Sequence, residues 1–261
     1  MNARNIVVTG ASSGIGAALA LRLTADGHRV ALAARRQAEL TDVAKRAGSN
    51  AVPVVTDVTR RADVNRLCAR AIEAFGSIDV WINNAGRGIT RSVMELEDEE
   101  LDDMMAVNVK SALYGMQAVV PHFIVRGRGH VINVSSMLSR VPVATYRSAY
   151  NAAKAALNAL TANLRVDLAA QHPGIEVSLV IPGLVATDFQ RHSRGESPPL
   201  PPAVEREAQT PEEVADKIAD LIEHPVAEIY TNAQHHAQAL RYFEDVGAFE
   251  RAAAARRTEA V

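Results

Sequence analysis

A tyrosine and a lysine four residues apart, Tyr150 and Lys154, are the pair in this sequence whose types and spacing could support acid–base chemistry. In a helix, residues four apart project from one face, one turn apart. A phenol has an ordinary pKa of about 10, and a neighbouring cation favours the phenolate and lowers that pKa toward neutral pH. The pair could therefore transfer a proton. The alternative is a structural pair on a solvated helix face.

A glycine-rich turn near the amino end could bind phosphate groups. It lies between an apolar run at residues 5–8 and apolar residues at helical spacing at 17–25. Its residues are Thr9, Gly10, Ala11, Ser12, Ser13, Gly14, Ile15 and Gly16. Gly10 permits the tight turn, Gly14 lets the backbone approach a pyrophosphate, and Gly16 allows the helix to pack on the strand. The helix N-terminus would direct free N–H groups toward the phosphates.

The rest of the chain alternates short apolar runs with helical patterns. The predicted strands are residues 5–8, 29–34, 51–55, 78–82, 130–134, 176–181 and, as an edge strand, 227–230. The predicted helices are residues 17–25, 37–47, 61–75, 98–125, 150–171 and 211–223, with one or two more in the tail from 233. This alternation indicates an α/β protein whose parallel sheet is covered on both faces.

Composition narrows the classes of function. Of 261 residues, 48% are hydrophobic and 22% charged, which is sufficient for one large globular domain. The net charge of −2 favours neither a nucleic-acid nor a membrane partner. No apolar stretch approaches the ~18 residues of a membrane span and no signal peptide is visible, so a cytoplasmic location is expected. Cys68 is interpreted as a core residue and the His235–His236 pair as a surface feature, with no metal site predicted.

Two segments interrupt the alternation of strands and helices. Residues 189–209 are polar and contain Pro198, Pro199, Pro201 and Pro202. We interpret a region at about 188–210 either as a substrate lid or as a disordered insertion. The tail, residues 233–261, is rich in Ala, His, Arg and Glu and receives no chemical role.

Four motifs, in their order and spacing, resemble those of the short-chain dehydrogenase/reductase family in its single-domain branch. They are the glycine-rich turn, Asn83-Asn84-Ala85-Gly86, Tyr150-Asn151-Ala152-Ala153-Lys154 and Pro182-Gly183. The resemblance covers about residues 5–190. It implies one domain over 1–261 with a three-layer Rossmann-type doubly wound parallel sheet. It also implies a homodimer or homotetramer formed through helices at about 98–125 and 147–171, and a small carbonyl or alcohol substrate.

The resemblance implies roles for four catalytic residues. Tyr150 would be the general acid in the reductive direction, and Lys154 would lower its pKa and hold the nicotinamide ribose. Ser136 would hydrogen-bond the substrate carbonyl. It lies one position further from Tyr150 than is usual in the family, so Ser139 is a competitor. Asn108 would shape a helix kink that positions a water molecule; a structural asparagine is the alternative.

The cofactor follows from the end of the second predicted strand. An NAD site in this fold typically places an acidic residue there, whereas this strand continues into Arg35 and Arg36. Two guanidinium groups would pair with a 2′-phosphate, so we predict NADP(H), with Arg35 the main contact. The alternative is that both arginines simply begin the next helix. The other cofactor contacts implied by the resemblance are Ser12, Ser13, Ile15, Asp57, Val58, Asn84, Ala85, Gly86, Pro182, Gly183, Val185 and Thr187.

Three functions are weighed. The first is an NADP(H)-dependent oxidoreductase that interconverts a secondary alcohol and a ketone or aldehyde, with apolar pocket residues Met137, Leu138 and Leu184. The second is a cofactor-binding sensor or scaffold without turnover, which the intact set of catalytic residues disfavours. The third is an epimerase or dehydratase of nucleotide sugars, which usually needs a sizeable C-terminal substrate domain.

Overall fold

Seven parallel strands form one sheet in the computed structural model, which describes residues 3–190, 193–196 and 205–258. The strands are β1 (Asn5–Thr9), β2 (Arg29–Ala34), β3 (Ala51–Val55), β4 (Val80–Asn83), β5 (Gly129–Val134), β6 (Ile175–Ile181) and β7 (Glu228–Tyr230). Their order in the sheet is β3-β2-β1-β4-β5-β6-β7. The predicted doubly wound parallel sheet is confirmed, and its order reverses between β1 and β4, where such folds bind ligands.

Helices cover both faces of this sheet. They are α1 (Gly14–Ala25), α2 (Gln37–Ala47), α3 (Arg61–Phe75), α4 (Asp98–Met105), α5 (Ser111–Arg126), α6 (Ser148–Ala169), α7 (Pro211–Glu223), α8 (Ala233–Glu244) and α9 (Val246–Thr258). The tail thus forms two helices, as predicted. Within the described residues, no helix is long and apolar enough to cross a membrane.

The single helix predicted at 98–125 is wrong in one respect. A π-helical segment, Ala106–Lys110, separates α4 from α5. Asn108 lies inside it, and its Nδ2 donates to the carbonyl oxygens of Met104 (3.1 Å) and Arg87 (3.0 Å). Its Oδ1 accepts from the Arg87 amide at 3.2 Å. The side chain therefore ties the wider turn to the loop after β4, and π turns of this kind are often found at functional sites.

Alternate residues of the strands supply two apolar layers. Ile6 and Val8 pack in one cluster with α1, α2 and α7, whereas Val7 packs in the other with α3, α5 and α6. Both faces of the sheet are therefore buried, which explains the nearly continuous apolar strands. Cys68 lies in the second cluster, and burial raises the pKa of its thiol to about 11. The interpretation of Cys68 as a core residue is confirmed.

A third, smaller cluster attaches the tail to the sheet. Ala239 and Tyr242 of α8 pack against Met137, Leu179 and Ile181, which belong to β6 and the loop after β5. This packing brings α8 to the edge of the sheet at which the strands end. Loops that carry ligand sites in such sheets lie at this same edge.

Candidate active site

The first strand–helix turn packs closely against its neighbours because of its glycines. Gly10 and Gly14 have φ angles of +70° and +53°, which favour glycine. A Cβ atom on Gly10 would lie 2.8 Å from the Ala85 Cα, and one on Gly16 would overlap the Gly10 carbonyl oxygen. A side chain at either position would therefore collide with neighbouring backbone, so the two glycines let the turn pack tightly beside the α1 N-terminus, where phosphate groups bind well.

The ends of β1 and β4 are held together by hydrogen bonds. The Asn84 side-chain Nδ2 donates to the Thr9 carbonyl oxygen at 2.9 Å. Thr9 Oγ1 accepts from the backbone amides of Asn84 (3.0 Å) and Ala85 (3.1 Å). The glycine-rich turn and the segment after β4 thus form one rigid wall at the point where the strand order reverses.

A cavity of about 760 Å³ opens along this wall. Nearly all the predicted site residues line it: Gly10, Ser12, Ser13, Gly14, Ile15, Gly16, Arg35, Arg36, Asp57, Val58, Asn84, Ala85, Gly86, Ser136, Tyr150, Lys154, Pro182, Gly183, Val185 and Thr187. Asn108 is the exception, because it lies behind Gly86. A Cβ on Gly86 would be 2.9 Å from Asn108 Oδ1 and 3.4 Å from Lys154 Nζ. The volume is within the usual range for small-molecule sites.

Ser136, Tyr150 and Lys154 meet at the ends of β5 and α6. All three are buried, and the Ser136 hydroxyl lies near enough to the Tyr150 phenol to lower its pKa. Lys154 Nζ donates to the Val134 carbonyl oxygen at 2.9 Å. Ser139 Oγ instead donates to the Ser136 carbonyl oxygen (2.5 Å) and accepts from Asn158 (2.7 Å). Of these two described serines, only Ser136 lines the cavity.

The ionisation of the pair differs from the expectation based on spacing. Burial raises the pKa of Tyr150, whereas the nearby Ser136 hydroxyl and the charge of Arg147 lower it. Burial also lowers the pKa of Lys154 to about 8. The ammonium lies 5.8 Å from the centre of the Tyr150 ring, since its stem leads to the end of β5. Arg147 is therefore a second cation near Tyr150, and its charge lowers the pKa of the phenol.

Arg147 was not identified by the sequence motifs. Its guanidinium is buried, and Nη1 donates to the Ile89 carbonyl oxygen (3.2 Å) and to Ser193 Oγ (2.9 Å). It therefore ties the loop after β4 and the segment after β6 to the start of α6. The only signal in the sequence was its position three residues before Tyr150.

The two arginines after β2 lie at the other end of the cavity. Arg36 Nη2 donates to Ser12 Oγ (3.0 Å) and Ser13 Oγ (2.8 Å), so it is anchored to the glycine-rich turn. Arg35 is exposed and lines the cavity. Both positive charges thus lie beside the turn. The nearby Asp57 carboxylate is held by Thr59, whose amide and hydroxyl donate to it at 3.0 Å and 2.7 Å.

Comparison with known proteins gives the family. The model of the short chain dehydrogenase family matches residues 4–197. The chain belongs to this family. An oxidoreductase of Bacillus subtilis (strain 168), YxnA, is 35% identical over 239 residues, which is 90% of this chain and 67% of the relative.

Solved structures show the same relationship. A short-chain dehydrogenase/reductase from Burkholderia phymatum in complex with NAD aligns with a TM-score of 0.85 and 25% identity over 94% of each chain. An alcohol dehydrogenase from the archaeon Thermococcus sibiricus, complexed with 5-hydroxy-NADP, aligns with a TM-score of 0.76 and 27% identity. That alignment covers 88% of this chain and 96% of the archaeal one.

The tail of this short-chain dehydrogenase contributes to the cavity, which the sequence motifs did not indicate. His235 and Gln238 of α8 line the cavity, and a Cβ on Gly183 would overlap the His235 ring. The interpretation of the His235–His236 pair as a surface feature is therefore wrong for His235. It holds for His236, which is exposed and lies against Tyr230 with ring centres 5.2 Å apart. The two histidines differ in exposure because α8 packs on β6, with His235 toward the cavity.

The segment that follows β6 covers part of the site in this short-chain dehydrogenase. The Phe189 ring meets the Tyr150 ring edge-on, with centres 5.5 Å apart. Single bridges join Ile89 to Arg194 and Val185 to Gln209. The four prolines that motivated the lid interpretation lie outside the described residues. Within the described ranges, no group of three or more His, Cys, Asp or Glu side chains could hold a metal ion.

Proposed function

We propose that this oxidoreductase interconverts a secondary alcohol and a ketone or aldehyde with NADP(H), using Tyr150 as general acid and base. The observation that carries the proposal is the meeting of Ser136, Tyr150 and Lys154 in the cavity that the glycine-rich turn borders. The resemblance to the family motifs supplies the chemistry. The geometry supplies the buried setting in which that chemistry would occur.

The cavity walls fit a dinucleotide. Gly10 and Gly16 let the turn pack without a collision of backbone atoms, and this turn and the α1 N-terminus border the cavity. Arg35 and Arg36 would hold a 2′-phosphate, since they stand directly after β2, where an NAD site typically has a carboxylate. The bound nicotinamide would supply the hydride or accept it. The nucleotides named with the aligned structures differ, so the preference for NADP(H) rests on these two arginines.

Tyr150 would donate and accept the proton of the reaction. In the reductive direction its phenol would donate to the carbonyl oxygen as hydride reaches the carbonyl carbon, and in the oxidative direction the phenolate would take that proton back. The Ser136 hydroxyl, which lies near the phenol, would hold the same oxygen and stabilise its developing negative charge.

Lys154 and Asn108 would support this transfer. Lys154 titrates with a pKa of about 8, so it can exchange protons near neutral pH and would also hold the nicotinamide ribose. Both polar atoms of the Asn108 side chain bond to backbone groups. We therefore propose Asn108 as a positioning residue that maintains the π turn beside Lys154, where a water molecule could enter the proton path.

The assembly is also a proposal. We propose a single catalytic domain that forms a homodimer or homotetramer through α4, α5 and α6. Val125 on α5 and Val166 on α6 are 87% and 75% exposed, and large apolar side chains this exposed support such an interface. Sedimentation of the purified protein would give the stoichiometry.

Turnover tests the reaction directly. The purified protein is assayed for NADPH consumption with a panel of ketones and aldehydes, alongside Tyr150→Phe. We expect the variant to bind NADPH normally and to lose about 100-fold or more in kcat, because the proton donor is gone. Tyr114→Phe, on α5 beneath Arg61, is the control and should leave turnover unchanged.

Two results would overturn the proposal. Near-normal turnover by Tyr150→Phe would remove the assignment of the acid. Tight NADPH binding by the wild type with no turnover of any carbonyl compound would favour the sensor without turnover.

A further inference from the structure

The cavity contains two polar side chains that the proposed reaction does not use. His235 and Gln238, three residues apart on α8, line it near Gly183. Helix α8 is held in place by apolar packing, since Ala239 and Tyr242 contact Met137 and Ile181. Residues three and four apart share one face of a helix, so the packing that buries Ala239 directs His235 and Gln238 to the cavity.

The imidazole of His235 has unused hydrogen-bonding capacity. Its ring lies against Gly183, where only the absence of a side chain admits it. Nδ1 is buried and has no hydrogen-bond partner among the described residues. Buried polar atoms in native structures nearly always have a partner, so an unpaired one in a cavity wall indicates a missing ligand group.

The charge state limits what that group can be. Burial lowers the pKa of His235, although the negative charge of Glu207 opposes this effect. A neutral imidazole has one donor and one acceptor, and the Gln238 amide has both as well. Neither side chain then carries a positive charge to pair with a carboxylate. The pair matches an uncharged group such as a hydroxyl or a carbonyl oxygen.

We propose that His235 and Gln238 bind a second, uncharged polar group of the substrate and so select for carbonyl compounds that carry one. Met137, Leu138 and Leu184 line the same cavity. The substrate class is therefore a ketone or aldehyde with an apolar portion and a second hydrogen-bonding group. This inference rests on the proposed function, because it concerns the specificity of the same site.

Matched substrates test the inference. The probes are ω-hydroxy-2-alkanones of increasing chain length, each paired with the 2-alkanone in which a methyl group replaces the hydroxyl. We expect the wild type to prefer the hydroxy member about tenfold in kcat/KM at one or more chain lengths, which corresponds to one hydrogen bond. His235→Phe removes both ring nitrogens and should reduce that preference, measured as the ratio of kcat/KM within each matched pair, to less than about twofold.

Two further variants separate recognition from structure. His235→Gln keeps a donor and an acceptor and should retain part of the preference. His236→Phe changes the exposed neighbour and should retain all of it. NADPH affinity should be unchanged in all three variants, which would show that the cavity remains folded.

The possible failures are distinguishable. If plain alkanones are reduced but the wild type shows no preference, or if His235→Phe keeps the preference, the inference is overturned and the proposed function stands. If NADPH binds and no member of either series is reduced, both are overturned.

Discussion

The two ends of the cavity differ in whether backbone or side chains form most of the wall. The cofactor end is built around backbone and glycine at the ends of β1, β2 and β4, within residues 9–86, with the Arg35 and Arg36 side chains beside them. The substrate end is made of side chains from well-separated segments, such as Leu138, Arg147, Phe189 and His235. Packed backbone is harder to displace than a side chain, which can change rotamer. We therefore expect the cofactor end to be rigid and the substrate end to be adaptable.

Two glycines show this contrast directly. A Cβ on Gly16 would overlap the Gly10 carbonyl oxygen, which is backbone. A Cβ on Gly183 would overlap the His235 ring, which is a side chain. The same change, glycine to alanine, should therefore have consequences of different kinds at the two ends.

The largest effect is expected from Gly16→Ala. Because the new methyl group meets backbone, the turn itself must shift, and we expect NADPH and NADH affinity to fall about 100-fold or more together with a loss of stability of about 1–3 kcal/mol. Titration calorimetry and thermal unfolding measure both quantities. Gly247→Ala in α9, where the nearest atom is the tip of the Arg251 side chain, is the control. Normal NADPH binding by Gly16→Ala would contradict the rigid-wall description.

The next effect is expected from Arg35→Asp, which tests the charge at the cofactor end. The variant loses a cation and places a carboxylate beside the 2′-phosphate, so NADPH affinity should fall about 10- to 100-fold. NADH affinity should change less than about threefold. Arg46→Asp, further along α2, is the control for total charge. An unchanged ratio of the two affinities would refute the assignment of Arg35.

A smaller effect is expected from Gly183→Ala, at the adaptable end. The methyl group displaces the His235 ring, and we expect kcat/KM for a plain 2-alkanone to fall about tenfold. The double variant Gly183→Ala/His235→Ala removes the obstacle, so its kcat/KM should return to within about threefold of the wild type. Steady-state kinetics on the three proteins gives the comparison. Failure of the double variant to recover would mean that this end is as rigid as the other.

The smallest effect on the reaction is expected from His130, at the start of β5 and away from the cavity. Its Nε2 contacts Ser178 Oγ at 2.8 Å, and burial lowers its pKa to about 4. Between pH 6.5 and 4 the unfolded chain binds a proton that the native chain excludes, so stability falls as the pH falls. His130→Gln should remove about 2 kcal/mol of the stability lost between pH 7 and pH 5.

Chemical denaturation at several pH values tests this expectation, with turnover at pH 7 as the control for the site. Equal acid sensitivity of His130→Gln and the wild type would show that other groups govern the loss of stability.

Much of the fold could be predicted because it depends on local patterns. Apolar runs and helical periodicity can be recognised within a few consecutive residues. The glycines of the first turn likewise mark a tight backbone turn by their residue type alone. The strands and most helices were accordingly placed to within a few residues. At Asn108 the family resemblance implied a helix kink, whereas local periodicity gave one continuous helix, because the π turn depends on a bond to Arg87 in another loop.

The sequence by itself determined the parallel sheet, the glycine-rich turn and the spacing of Tyr150 and Lys154, since neighbours along the chain establish each of them. The tertiary structure decided that Ser136 rather than Ser139 faces the cavity, and that Arg147 lies near enough to Tyr150 for its charge to lower the pKa of the phenol. It also decided that His235 of the tail lies against Gly183. These outcomes depend on contacts between distant segments, and local periodicity carries no information about such contacts.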